Sequence, residues 1–219
     1  MSTSSPAPSN AAPSRSDLYR PTPSLPLPAQ TRSLFHFTNP KVFPTDQSDE
    51  DLAAHITAQR DKMYAKLSYP CLGLFRFLEP GSREEATTYR QAIHDCLISD
   101  PENTSILDMG CGYAQDVRAW IQDGVKGKQI AAADLVMDFV ESSFELFADQ
   151  KDQGHLKDVK FLECDIFKPD QVQRVKESSP NGNGFDIIYV GSFIHLFELG
   201  ECDPPLPAVR RDTSTGRCS

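Results

Sequence analysis

The chemistry legible in this chain lies where acids meet glycines. Ile106-Leu107-Asp108-Met109-Gly110-Cys111-Gly112-Tyr113-Ala114 is an apolar run that ends in an acid and opens into a glycine turn. Glycines at 110 and 112 let the backbone turn tightly and approach a ligand closely. A helix starting just after them offers N–H groups and a positive dipole end. Two further acids, Asp134 and Asp165, close later apolar runs. Asp134, 24 residues past Gly110, is placed to accept both hydroxyls of a ribose. Each charge-assisted hydrogen bond of that kind is worth about 1.5–3 kcal/mol. Asp165 suits the exocyclic amine of an adenine, with Ile166 against the ring. The ligand expected is therefore adenosine-bearing. Gln115 stands where a dinucleotide site wants glycine, and no Gly-Lys-Ser/Thr of a phosphate loop follows. Asp108 would repel a pyrophosphate and suits a cationic amino group. A ligand that combines an ammonium, a sulfonium, a ribose and an adenine is S-adenosyl-L-methionine.

These residues need a scaffold of alternating strands and helices, and the sequence supplies the rhythm. Strands are expected at 104–108, 129–134, 159–164 and 185–191. Between them lie a helix at 115–123 burying Val117, Trp120 and Ile121, one marked by Met137, Val140, Phe144 and Phe147, and a polar helix or loop at 170–178. The run at 185–191 is almost unbroken in apolar residues, as central parallel strands are. The fold class expected is α/β, a doubly wound, Rossmann-like parallel sheet. Upstream, Ser48 and the acids after it open a helix with Leu52, Ile56, Met63 and Leu67 on one face. The apolar piece 69–78 is expected to pack over the mouth of the site. Ser82-Arg83-Glu84-Glu85 reads as a capping box for a helix burying Ala86, Tyr89, Ile93 and Cys96/Leu97.

With these motifs in order, the chain resembles the class I S-adenosylmethionine-dependent methyltransferases, and more narrowly those of fungal meroterpenoid biosynthesis. The resemblance is carried by Tyr69-Pro70-Cys71 with Phe75-Arg76-Phe77-Leu78, by 106–112 with Gln115-Asp116, by Ala133-Asp134-Leu135, by Asp165-Ile166-Phe167, and by 185–197. It implies methyl transfer from S-adenosyl-L-methionine to a small-molecule acceptor, a terpenoid or other secondary metabolite with a carboxyl or hydroxyl. The cofactor residues it implies are Asp108, Gly110, Cys111 and Gly112 around the methionine moiety, Asp134 and Leu135 at the ribose, Asp165 and Ile166 at the adenine, and Gly191 and Ser192 facing the methyl. Ala114 departs from the commonest form of the turn, which has a third glycine there. His195 follows the fourth strand among Phe193, Ile194, Leu196 and Phe197, where a packed helical position competes with catalysis. No catalytic residue is assigned, and no metal ligands are expected.

Net charge −9 and a pI near 5.0 argue against nucleic-acid or anionic-membrane partners. The N-terminus lacks the apolar core of a secretory signal, so a cytoplasmic protein with six reduced cysteines is expected. A homodimer stays open. Residues 1–45, rich in Ser and Pro, are read as a disordered tail. Next come a helical cap region (46–103), an S-adenosylmethionine-binding half-domain (104–198) and an irregular tail (199–219). The family's sheet has seven strands in the order 3-2-1-4-5-7-6, and only the first four are legible here. The expectation is thus a sheet lacking strands 5–7, with a catalytically silent remnant that binds cofactor or a partner as the alternative to an active enzyme.

Overall fold

The computed structural model describes residues 18–78, 84–151, 153–191 and 193. Its centre is a four-stranded, all-parallel sheet of order β3-β2-β1-β4. The strands are β1 (Ile106–Met109), β2 (Ile130–Asp134), β3 (Lys160–Glu163) and β4 (Ile187–Tyr189). Parallel neighbours require crossovers, provided by α5 (Gln115–Gln122), α6 (Met137–Leu146) and α7 (Pro169–Glu177). The fold is α/β and Rossmann-like, as the alternation predicted.

Strand side chains alternate between faces, and the two cores follow that alternation. Ile106, Ile130 and Ala132 meet Val117 and Trp120 of α5 and Val140 of α6 on one face. Leu107, Met109, Ala131 and Ala133 meet Val175 of α7 on the other. Strands β1 and β2 are covered on both faces, which is why their sequences run apolar without interruption. The fourth strand is shorter than expected, with Phe185, Val190 and Gly191 outside it. Asp186 accepts hydrogen bonds from the Ser105 N–H (2.8 Å) and Oγ (2.7 Å), tying the start of β4 to that of β1. Ile188 is 53 % exposed, so β4 behaves as an edge strand among the described residues rather than a central one.

A second body of helices sits on this unit. The expected disorder of residues 1–45 is corrected for its described part. Residues 29–38 form helix α1 (Ala29–Thr38), and Leu27, Leu34, Phe35 and Phe43 are buried. The Ser/Pro-rich composition hides these few large apolar residues, which use the apolar surface of α6 to offset their ordering entropy. The Phe35 ring lies 4.9 Å from that of Phe147, and Asn39 Nδ2 donates to the Ala148 carbonyl at 2.7 Å. Helix α2 (Asp49–Lys66) starts at Ser48, whose Oγ accepts from the Asp51 N–H at 3.1 Å. Its buried face includes Leu52, Ile56 and Met63. Then come the short α3 (Pro70–Gly73) and a 3₁₀ turn at Arg76–Leu78.

Arg60 of α2 is fully buried and holds this region together. Its guanidinium reaches Asp61, the Leu72 and Gly73 carbonyls, and the Arg20 and Pro21 carbonyls, and it stacks on the Phe75 ring at 4.0 Å. Helix α4 (Glu84–Ser99) buries Leu97; Ser82 and Arg83 of the expected capping box lie outside the described residues. Cys71, Cys111 and Cys164 are free thiols, whereas Cys96 is disulfide-bonded, a departure from the expected reduced state. Among the described residues no helix is long and apolar enough to cross a membrane.

Candidate functional site

The site forms at the carboxyl ends of β1, β2 and β3, where the loops are laced to one another. Gly110 and Gly112 take positive φ values of 76° and 53°, and Ala114, the residue before α5, also sits in the left-handed region at 50°. The Gly110 and Cys111 N–H groups donate to the Ala133 carbonyl at 2.8 and 3.1 Å. The Cys164 N–H donates to the Asp134 carbonyl at 2.9 Å, joining the end of β3 to that of β2.

Asp134 is the hub. Its Oδ2 accepts from the Gly112 N–H and its Oδ1 from the Val136 N–H, both at 2.9 Å. The carboxylate is thereby oriented, and each oxygen keeps a lone pair for a ligand hydroxyl. Burial raises its pKa, opposed by the N–H donors of Val136, Gly112 and Leu135. Asp108 is 2 % exposed beneath the turn. Cys111 is buried beside both acids, and desolvation together with the Asp108 and Asp134 charges pushes its thiol well up, leaving it unreactive.

The third acid is arranged differently. Asp165 Oδ1 accepts from the Phe167 N–H at 3.0 Å, its carbonyl accepts from the Lys168 N–H, and its own N–H donates to Gln171 Oε1 at 2.7 Å. It organises the turn that leads into α7. Ile166 packs against the core between β1, β2 and α7, whereas its neighbour Phe167 is 57 % exposed and Leu135 is 56 % exposed. The exposed apolar groups near Asp134 and Asp165 are thus Leu135 and Phe167. Sequence reasoning placed Ile166 against the ring; the structure packs Ile166 partly into the core and leaves Phe167 the more exposed of the two.

The fourth strand contributes by close packing. A β-carbon on Gly110 would fall 2.7 Å from Cγ of Phe193, so the absence of a side chain is used by that ring. A β-carbon on Gly112 would meet nothing within 4 Å. Gly191 is similarly closed, because a β-carbon there would lie 2.7 Å from the Tyr189 hydroxyl. Ser192 and His195 lie outside the described residues.

One supporting residue was not anticipated. Arg118, fully buried on α5, donates to Asp149 through Nε at 2.7 Å and Nη2 at 2.8 Å, to Ser143 Oγ at 3.1 Å, and to the Tyr113 carbonyl at 2.9 Å. It fixes the exit of the glycine turn. Burial would raise the Asp149 pKa, but hydrogen bonds from Arg118 and His155 outweigh it and hold the carboxyl below its usual value. An arginine in a helix that otherwise shows an apolar stripe gave no sequence sign of this role.

The residues suit the group inferred from sequence. Gly112 leaves open space where a side chain would stand, the Asp134 carboxylate that accepts from its N–H keeps spare lone pairs, Leu135 and Phe167 offer exposed apolar surface, and the Arg118 guanidinium at the exit of the turn is engaged with Asp149 and the Tyr113 and Ala114 carbonyls.

Comparison with known proteins finds methyltransferases. Residues 45–78 match a family model described as "Meroterpenoid methyltransferase N-terminal domain". The chain is 32 % identical over 174 residues to the O-methyltransferase atr3 of Stereocaulon alpinum, covering 78 % of this chain and 44 % of that protein. It is 26 % identical over 152 residues to the methyltransferase prhM of Penicillium brasilianum (68 % and 50 % of the two chains). It is 27 % identical over 148 residues to the Asnovolin E/Chermesin D methyltransferase nvfJ of Aspergillus novofumigatus (68 % and 49 %). The chain spans about half the length of the curated relatives it matches. No solved structure matches it.

Proposed function

We propose, from the premise that this chain is a relative of the fungal meroterpenoid methyltransferases, that it binds S-adenosyl-L-methionine and serves methyl transfer to an oxygen of a small secondary metabolite. The observation that carries the reading is the pair of hydrogen bonds from the Gly112 and Val136 N–H groups that orient the Asp134 carboxylate beside the glycine turn. Asp134 holds the ribose hydroxyls, Leu135 and Phe167 flank the adenine, and the backbone from Gly110 to Gly112 receives the amino-acid end. Asp108 supplies negative potential from below for its ammonium. When bound, the cofactor supplies an electrophilic methyl on a sulfonium. The chain's part is to bind, orient and exclude water, and positioning supplies much of the barrier reduction in such a displacement. A carboxylate acceptor needs no general base. An oxygen acceptor also agrees with the name of the Stereocaulon alpinum relative, an O-methyltransferase.

Calorimetric titration of the 219-residue chain with S-adenosyl-L-methionine tests the assignment. Saturable binding is expected, weakened about tenfold or more in Asp134→Asn through loss of a charge-assisted hydrogen bond. Wild-type affinity in that variant would remove the ligand assignment. Radiolabelled methyl transfer to a panel of terpenoid acids and phenols then tests turnover; binding without transfer would favour a cofactor-binding role alone.

A further inference from the structure

Helix α1 is fastened to both of the segments between which the Arg118 guanidinium is held. On one side, Gln122 Nε2 of α5, one helical turn beyond Arg118, donates to the Ser33 carbonyl at 3.1 Å and to Ser33 Oγ at 2.8 Å. On the other, a run of contacts reaches the connection between α6 and β3. The Phe35 ring lies 4.9 Å from that of Phe147, Asn39 Nδ2 donates to the Ala148 carbonyl at 2.7 Å, and the Phe37 ring lies 5.0 Å from that of His155. Core packing accounts for Phe35. The directional bonds at Ser33 and Asn39 do something else: they fix where α5 and the segment after α6 stand relative to each other.

The residues gripped by α1 are the ones that grip Arg118. The Phe147 ring lies 4.4 Å from the guanidinium carbon, and Asp149 accepts from Nε and Nη2. His155 Nε2 meets the Asp149 Oδ2 at 3.0 Å. Between Phe147 and Asp149, Ala148 takes a φ of 50°. That conformation is costly for a residue with a side chain and persists where its surroundings enforce it. The Ala148 carbonyl is the atom that Asn39 holds, and Asp149 is the next residue along the chain. At the far end, Arg118 donates to the Tyr113 and Ala114 carbonyls at 2.9 and 3.3 Å, where the glycine turn passes into α5. Every link from Asn39 to that turn is a direct contact or a chain neighbour.

We propose that α1 positions the cofactor turn: Asn39, through Ala148 and Asp149, and Ser33, through Gln122, keep Arg118 on the Tyr113 and Ala114 carbonyls and so keep the Gly110–Gly112 backbone in its binding shape. Asn39, Asp149 and Arg118 are positioning residues and touch no reacting atom. The inference rests on the methyl-transfer reading and adds a control of cofactor affinity located in the first helix. With α1 seated, the turn is ordered before the ligand arrives. With α1 released, the turn samples other shapes and the ligand must bear the cost of ordering it, which lowers the apparent affinity.

The test is calorimetric titration of S-adenosyl-L-methionine into the full chain, well below the melting temperature and with folding verified by circular dichroism, beside nitrogen-edited NMR of the Arg118 Nε–H. Asn39→Ala is expected to weaken binding about three- to tenfold and to speed exchange of the Arg118 Nε–H with solvent by a similar factor. Ser48→Ala also lowers stability but touches none of these contacts, and it should leave both readings unchanged. If Asn39→Ala does not fold, Gln122→Ala on α5 releases the other attachment and carries the same two readings with the same expected direction. Unchanged affinity, unchanged Arg118 exchange, or an equal loss in Ser48→Ala would overturn the proposal. If the wild type binds no S-adenosyl-L-methionine, the methyl-transfer reading falls, and the Arg118 exchange rate alone decides whether α1 positions the turn.

Discussion

Two glycines two residues apart should respond differently to the same substitution. Alanine at Gly112 would sit at a φ of 53° with nothing within 4 Å of its methyl, so the cost is backbone strain alone, about 1–2 kcal/mol. Alanine at Gly110, at 76°, carries the same strain and also places a methyl 2.7 Å from Cγ of Phe193. Overpacking of that kind adds about 1–3 kcal/mol, for about 2–5 kcal/mol in total. A loss of 1 kcal/mol lowers the melting temperature of a chain this size by about 2–4 °C, so scanning calorimetry resolves the two variants. Phe193→Ala in the Gly110→Ala background should restore the steric part and leave the strain, and a double-mutant cycle isolates it. Equal losses from the two glycine variants, or no coupling between positions 110 and 193, would refute the packing argument.

Asp149 and Asp134 titrate with opposite signs. The Asp149 pKa is lowered in the fold, so its stabilisation is present above the unfolded value, near 4, and is lost as pH falls through the folded one. Asp149→Asn should flatten that acid limb in urea melts at pH 2–5. At neutral pH it should cost about 3–5 kcal/mol, because Arg118 is left buried without its counter-charge. The Asp134 pKa is raised, so its contribution is greatest below the unfolded value and is lost as pH rises through the folded one. Since the carboxylate is the form that accepts ribose hydroxyls, S-adenosyl-L-methionine affinity should climb across that same window, and Asp134→Asn should abolish the climb in calorimetry. Ser48→Ala removes the cap of α2 and should lower stability by about 1 kcal/mol without changing cofactor affinity.

The parts of the fold legible in the sequence were those where local pattern and tertiary role coincide. Strands β1 and β2 are buried on both faces, so their apolar runs and terminal acids stand out directly, and the glycine turn follows from backbone requirements alone. Helix α1 was not legible, because its stability comes from Phe147 and Ala148, more than 100 residues away, while its own composition reads as a tail. The length of β4 was overread, since Phe185 and Val190 are apolar for packing beside α7 and not for pairing. At the site, Asp134 was legible as the acid that closes β2, and the fold orients its carboxylate through the Gly112 and Val136 N–H groups. Asp165 accepts from the Phe167 N–H within its own turn, and the relative exposure of Ile166 and Phe167 depends on packing against β1, β2 and α7, which local spacing does not carry. The hold of α1 on the partners of Arg118 joins residues 89 and 109 positions apart, which no local pattern encodes.

The contacts between the N-terminal helices and α6 also set an order of events during synthesis. Asn39 bonds across 109 residues to Ala148, and His55 Nε2 meets the Leu146 carbonyl across 91. At about 5–20 residues per second on the ribosome, the first helices wait about 5–20 s before the surface they need has been made. During that interval Leu34, Phe35 and Phe43 can meet Leu52, Ile56 and Met63 of α2 but not Phe139, Leu146 and Phe147. These helices thus complete their packing only after α6 has been made, and a chaperone that shields them in the interval would act before β3 and β4 exist.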